Sequence, residues 1–364
     1  MAQLAIQNVH KSFQSKVVLN DVSLELDRGE IVCVFGPSGS GKTLLLRLVA
    51  GVETLDSGSI VLAGQDVTDA PPERRGVGMA FQNFALFPHM SAFDNVASAL
   101  TARRLPPILI QEKVHKIAAL LKIGHVLAHE PRELSNGQKE RAALARALVA
   151  DPKILLLDDP LRNVDAKLRY EMRLELPPLL KNSGATALYV TQDYKEAMAI
   201  GDRIAVLIDG GFVQVATPAE IYREPATIGV ARLFGDPSIN LVPVEPLIRP
   251  EGLTVHFAGC VLPIPISYES AAGRACMLGL RPEAIMVDAA PSPDTFPIHV
   301  AAVTPLNEKT LLLLRTHDGR ELIASEAGAD EEPRRHGPAH AHFDSNAILL
   351  FDAESGERIA PREP

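Results

Sequence analysis

Along this chain, short runs of apolar and β-branched residues alternate with stretches whose apolar positions recur every three or four residues. IVCVFG (31–36), ILLLDD (154–159), ALYVTQD (187–193) and IAVLIDG (204–210) are nearly continuous apolar runs, the pattern of strands buried on both faces. LLLRLVAG (44–51) and KERAALARALVA (139–150) carry helical periodicity. Strands and helices in alternation predict an α/β domain with a largely parallel sheet covered by helices. Residues 90–130 are helical in pattern and contain no strand-like run, which predicts an inserted helical subdomain at about 88–150. From about residue 240 the character changes to proline clusters, turn residues and short alternating runs such as LTVHFAG and LLLLRTHDG, which predict a small all-β domain. The expected organisation is therefore a first domain over 1–235 and a β-barrel domain over 236–364. GADEEPRRHGPAHAH (328–342) reads as a solvated excursion between strands.

Composition narrows the function without naming it. A length of 364 residues exceeds one ordinary core and suits two, and 46% hydrophobic with 22% charged residues fits a globular protein. A formal net charge of −9 argues against a nucleic-acid partner, because such domains carry a basic face. No run approaches the ~18 to 20 apolar residues of a membrane span, and MAQLAIQNVHKSF lacks the features of a signal peptide, so the chain is expected in the cytoplasm. Cys33, Cys260 and Cys276 stand far apart without metal-ligand spacing, and Cys33 reads as a core residue. His336, His340 and His342 cluster near the C-terminus, where solvated loop histidines are the simpler reading than a metal site.

The strongest chemical signal is Gly36-Pro37-Ser38-Gly39-Ser40-Gly41-Lys42-Thr43, which matches G-x-x-x-x-G-K-[ST] between an apolar strand and an apolar helix. Glycines let the backbone wrap phosphate oxygens and aim N–H groups at them, and the helix turns its positive end to the same anion. Lys42 is placed for the β and γ phosphates and the Thr43 hydroxyl for Mg²⁺. ILLLDDP (154–160) ends a strand in two acids, with Asp158 placed for the Mg²⁺ shell and Asp159 for the attacking water.

Leu134-Ser135-Asn136-Gly137-Gln138, followed by KERAALARAL, resembles the L-S-G-G-Q signature of ABC ATPases. Several further elements follow in that family's order. Gln82 is similar to the Q-loop glutamine that touches Mg²⁺ and water, Phe13 to the aromatic ring that stacks on adenine, Asp165 to the D-loop aspartate, and ALYVTQDYKEA to the switch-region strand. The resemblance covers residues 1 to about 235. GVARLFGDPSINLVPV (229–244) and LGLRPEAIMV (278–287) extend it to the linker and OB/TOBE-like domain of the maltose-type importers of carbohydrates and polyols.

That resemblance implies a peripheral subunit at the cytoplasmic face of the membrane, binding ATP and Mg²⁺. Its implied partners are two transmembrane permease subunits, a second ATPase subunit, identical or a related paralogue, and, indirectly, an extracytoplasmic solute-binding protein; nucleic acid is not among them. In the family each ATP lies between one subunit's cradle and the other's signature loop, so Ser135, Asn136, Gly137 and Gln138 would act on a partner's site. Two positions depart from the family pattern. Asp159 stands where the catalytic glutamate is usual, and Gln192 in Val190-Thr191-Gln192-Asp193 stands where histidine is usual. Either the two changes weaken the hydrolytic site, which suggests a slow site paired with a better equipped one, or they are tolerated local variants of an active enzyme. Asn136 departs at the third signature position, where asparagine is expected to tolerate a left-handed backbone nearly as well as glycine. A nucleotide-sensing regulatory subunit and a soluble ABC ATPase outside transport are the rival readings.

Overall fold

The computed structural model describes residues 2–81, 83–292, 294–306, 308–328 and 336–362. It divides into two compact units, Met1–Pro218 and Ala219–Pro364.

The first unit opens with a hairpin of β1 (Leu4–Phe13) and β2 (Lys16–Leu26), then the buried strand β3 (Ile31–Phe35). After it come α1 (Lys42–Ala50), β4 (Ser57–Leu62), β5 (Gln65–Asp66), the single turn α2 (Pro72–Arg75) and β6 (Val77–Ala80). Three helices follow with no strand between them: α3 (Ala92–Ala102), α4 (Pro107–Leu120) and α5 (Asn136–Leu148). The chain then returns to β7 (Ile154–Asp158), α6 (Ala166–Ser183), β8 (Thr186–Thr191), α7 (Tyr194–Ile200), β9 (Arg203–Ile208) and β10 (Gly211–Ala216).

The main sheet has the order β10-β9-β3-β8-β7-β6, and all its pairings are parallel except β9 with β10. Every residue of β3, β7 and β8 is buried, as their continuous apolar runs predicted. Cys33 is fully buried in β3. A second, antiparallel sheet, β2-β1-β4-β5, contributes Leu4, Ile6, Val9 and Leu24 to the same core. The sheet order places the carboxyl ends of β3, β7 and β8 side by side, the edge where ligands bind in parallel α/β sheets.

Helix α6 passes through Pro177 and Pro178 without ending. Proline removes backbone hydrogen bonds inside a helix, but Met172, Leu176 and Leu180 are buried one turn apart and anchor this one.

In the second unit, α8 (Pro218–Arg223) and α9 (Ile228–Leu233) precede three antiparallel sheets of four, three and five strands. Alternating residues of these strands close one apolar core, in which the Phe257 and Phe296 rings meet edge to face at 4.8 Å. This is the all-β domain that the alternating runs predicted. One detail differs from the sequence reading. Gly337–Phe343, expected within a solvated excursion, is a strand paired with both Ile285–Asp288 and Phe296–Val300. Its small and histidine residues alternate with period two, a weak signal that the polar composition masked. The rest of that excursion, residues 329–335, lies outside the described residues.

Candidate active site

Gly36 to Ser40 connect β3 to α1, and Gly41 caps the helix with φ of 103°, a left-handed conformation that suits glycine. Lys42, 5% exposed, donates from Nζ to the carbonyl oxygens of Gly36 at 2.8 Å and Pro37 at 2.7 Å. Burial lowers the Lys42 pKa, while Asp159 and Asp158 nearby pull it back up. The ammonium thus rests on loop carbonyls and has two carboxylates in range, a cation held ready for anionic oxygens.

Across the cradle, the Thr43 hydroxyl donates to Asp158 Oδ1 at 3.0 Å. These two oxygen donors suit a hard cation such as Mg²⁺. Burial raises the pKa of Asp158, opposed by the Thr43 hydrogen bond and by Arg47 and Lys42. Asp159 follows the strand with φ of 47° and donates its backbone N–H to the Val190 carbonyl at 2.8 Å. Its carboxyl is also raised by burial, with Arg162 the largest opposing influence.

A cavity of about 250 Å³ joins these groups: Gly41, Lys42, Thr43, Asp158, Asp159 and Gln192 all line it. Residues 150 positions apart in the chain therefore meet at one place because β3, β7 and β8 are neighbours in the sheet. Gln192 follows the last residue of β8 and is exposed.

The other expected residues lie elsewhere. Phe13, at the end of β1, is 47% exposed and has the Lys11 ammonium 5.3 Å from its ring centroid, but it does not line the cavity. Asp165 caps α6 by accepting from the Leu168 N–H at 3.0 Å. Gln82 lies outside the described residues.

Ser135 caps α5, and a reciprocal pair of bonds with Gln138 forms a capping box. None of Ser135, Asn136, Gly137 and Gln138 lines this chain's cavity. A Cβ at Gly137 would stand 2.5 Å from Leu168 Cδ2, so the tip of that side chain would have to turn aside. Asn136 corrects an expectation. It opens the helix and is not among the residues with positive φ, so no left-handed backbone is needed there. The Ser135 cap fixes the following residue as helical.

The sequence reading missed Arg162 and a buried acidic network behind the site. Glu196 Oε2 sits 2.9 Å from both the Tyr189 and Thr191 hydroxyls. The same Thr191 hydroxyl is 3.5 Å from Asp159 Oδ1. Glu140 is 4% exposed and its Oε2 has no hydrogen-bond partner among the described residues. Burial pushes Glu196 up to about 7 and Glu140 up to about 8, and the two repel each other. An E-x-x-A-L-A pattern signals helix but not which glutamate the helix buries, so only the packing exposes this pair.

Both carboxyls keep their protons in the folded chain over a range, from about 4.5 to about 7 or 8, in which the unfolded chain has released them. Stability contributed this way is greatest at acid pH and falls as pH rises through that window. Glu140→Gln has no proton to lose. Its thermal midpoint should match the parent near pH 4.5 and exceed it by several degrees at pH 8, for a gain on the order of a few kcal/mol. Equal midpoints at pH 8 in circular-dichroism melts would show that Glu140 is ionised at little cost.

The family model for "ABC transporter" matches residues 19–162, spanning the cradle and the acids of β7, and the model for "TOBE domain" matches residues 278–351. The chain is 41% identical over 359 residues to the sn-glycerol-3-phosphate import ATP-binding protein UgpC of Cereibacter sphaeroides, covering 99% of this chain and 100% of that one. It belongs to the ABC transporter ATP-binding subunits. Proteins of the same name from Yersinia pseudotuberculosis and Escherichia coli O157:H7 are 38% and 39% identical over 369 residues, with 99% of this chain and 100% of theirs covered. The activity of this family member is ATP hydrolysis coupled to transport.

Proposed function

We propose that this chain energises import of a small polar solute, of the sugar, polyol or glycerol phosphate class, at the cytoplasmic face of a membrane. The observation that carries the reading is similarity along the whole chain, β domain included, to sn-glycerol-3-phosphate import ATP-binding proteins. Two permease subunits would carry the solute, a solute-binding protein on the far side would deliver it, and a second ATPase subunit would complete the nucleotide sites. Among the described residues no helix is long and apolar enough to cross a membrane.

ATP would lie with its phosphates over Gly36–Thr43 and its adenine against Phe13. Thr43 and Asp158, with Gln82, would hold Mg²⁺, whose chemistry there is to neutralise charge on the β and γ oxygens. Asp159 would take the proton of the attacking water as the new O–P bond forms and the bond to the β,γ bridging oxygen breaks. Gln192 would donate from its amide to the γ-phosphate, and Asp165 would stand at the subunit boundary with Ser135 to Gln138.

Isolation of the native complex from membranes, followed by reconstitution into vesicles with its binding protein, tests this. Phosphate release should rise severalfold with one solute class present outside and track its uptake. ATP binding without phosphate release under any solute would favour the regulatory subunit instead, and isolation without permeases would favour a soluble ATPase.

A further inference from the structure

Arg162 lies outside every motif used so far, yet it lines the same cavity as Lys42, Asp159 and Gln192. It also lines the adjoining opening, again with Asp159 and Gln192. Among the described residues, Lys42 and Arg162 are the two cationic side chains that line this cavity. They occupy different positions in it. Lys42 is buried against the cradle carbonyls, whereas the Arg162 side chain is 53% exposed.

A local turn sets this position. The Arg162 N–H donates to the Asp159 carbonyl at 3.2 Å, and the Arg162 carbonyl accepts from Arg169 Nη2 at 3.4 Å. With the backbone so held, the guanidinium Nη1 stands 3.7 Å from Asp159 Oδ2, three residues back. That separation is a charge contact but too long for a hydrogen bond. The five N–H donors of the guanidinium are therefore not consumed by Asp159, the one ion-pair partner that Arg162 has among the described residues.

The switch position offers no positive charge, because the Gln192 amide is neutral at every pH. Charge accumulates on the γ-phosphoryl oxygens and the leaving group during transfer, so a cation at that end of the cavity acts mainly on the transition state. A guanidinium is always protonated, and its planar fork matches two phosphate oxygens at once. We propose that Arg162 is a catalytic residue of this chain, whose guanidinium binds the γ-phosphoryl oxygens during hydrolysis and supplies the cation that Gln192 does not. This rests on the cavity being the hydrolytic site described above. Water forms the new O–P bond, ADP leaves with the electrons of the broken one, Asp159 takes the proton, and Arg162 is unchanged throughout.

The test is a two-by-two comparison in transporter reconstituted with this chain as its sole ATPase subunit. Arg162→Ala should lower kcat for phosphate release about tenfold or more, with the ATP dissociation constant unmoved within about twofold. Arg162→Lys, which keeps charge but not the fork, should fall between the two. The decisive measurement is the same change in a Gln192→His background. A protonated imidazole supplies positive charge, so in assays near pH ~6 the loss from Arg162→Ala should shrink to about threefold or less. Equal losses in both backgrounds, or an unchanged kcat in the parent, would overturn the proposal, since a merely structural arginine has no reason to depend on residue 192. Asp159→Asn serves as the control: if it leaves turnover intact the site itself is misassigned, whereas silence there with equal Arg162 losses overturns Arg162 alone.

Discussion

Asp159→Glu combined with Gln192→His should raise phosphate release by about 100-fold when this chain is the sole ATPase subunit. The carboxyl of Asp159 lines the nucleotide cavity, but it is one methylene shorter than a glutamate and stops on the order of 1 Å short of the water that a glutamate would reach. Burial already raises its pKa, which favours a base, so distance and not basicity is the deficit. Gln192 approaches the same cavity from the end of β8, so the two replacements flank the γ-phosphate from different strands. Their gain should appear in kcat and not in ATP affinity, because base and imidazole both act mainly in the transition state. Single-turnover phosphate release compared with ATP dissociation constants checks this. A double variant no faster than the parent would mean that neither residue limits the rate and that a later step, such as reopening of the dimer, does.

How much of this was legible in the sequence depended on whether local chemistry alone decided the structure. The strands β3, β7, β8 and β9 follow from unbroken apolar runs, since only a doubly covered sheet buries so many consecutive side chains. The cradle was equally plain, because glycines at fixed spacing between a strand and a helix have few other uses. Helix α6 was hidden by Pro177 and Pro178, where burial of Leu176 and Leu180 overrides a local rule. Asn136 was misjudged because the backbone at that point is set by the Ser135 cap one residue earlier. Arg162, Glu140 and Glu196 were invisible for a different reason. Charged residues on helical or turn segments are normally solvated; a local turn brings Arg162 back to Asp159, and only tertiary packing buries Glu140 and Glu196. Departures at Asp159 and Gln192 could be read only against a family pattern.

The largest expected loss concerns partnership. In a mixed pair with a related ATPase subunit that carries glutamate and histidine at the equivalent positions, Ser135→Arg in this chain should reduce phosphate release to background. Ser135 and Asn136 are exposed at the start of α5 and do not line their own chain's cavity, so their chemistry is available to another subunit. A helix start with a hydroxyl and free N–H groups suits a γ-phosphate, and an arginine side chain there adds bulk where that phosphate must dock. The partner's cradle would then stay open even though all its own residues are intact. Asp159→Asn in this chain should cost less than about twofold in the same pair, because it damages only the slower site. An identical pair predicts otherwise. Each substitution would then strike both sites, and both would be severe. Measuring the two variants side by side in reconstituted transporter separates these cases, and a severe loss from Asp159→Asn would retire the asymmetric arrangement.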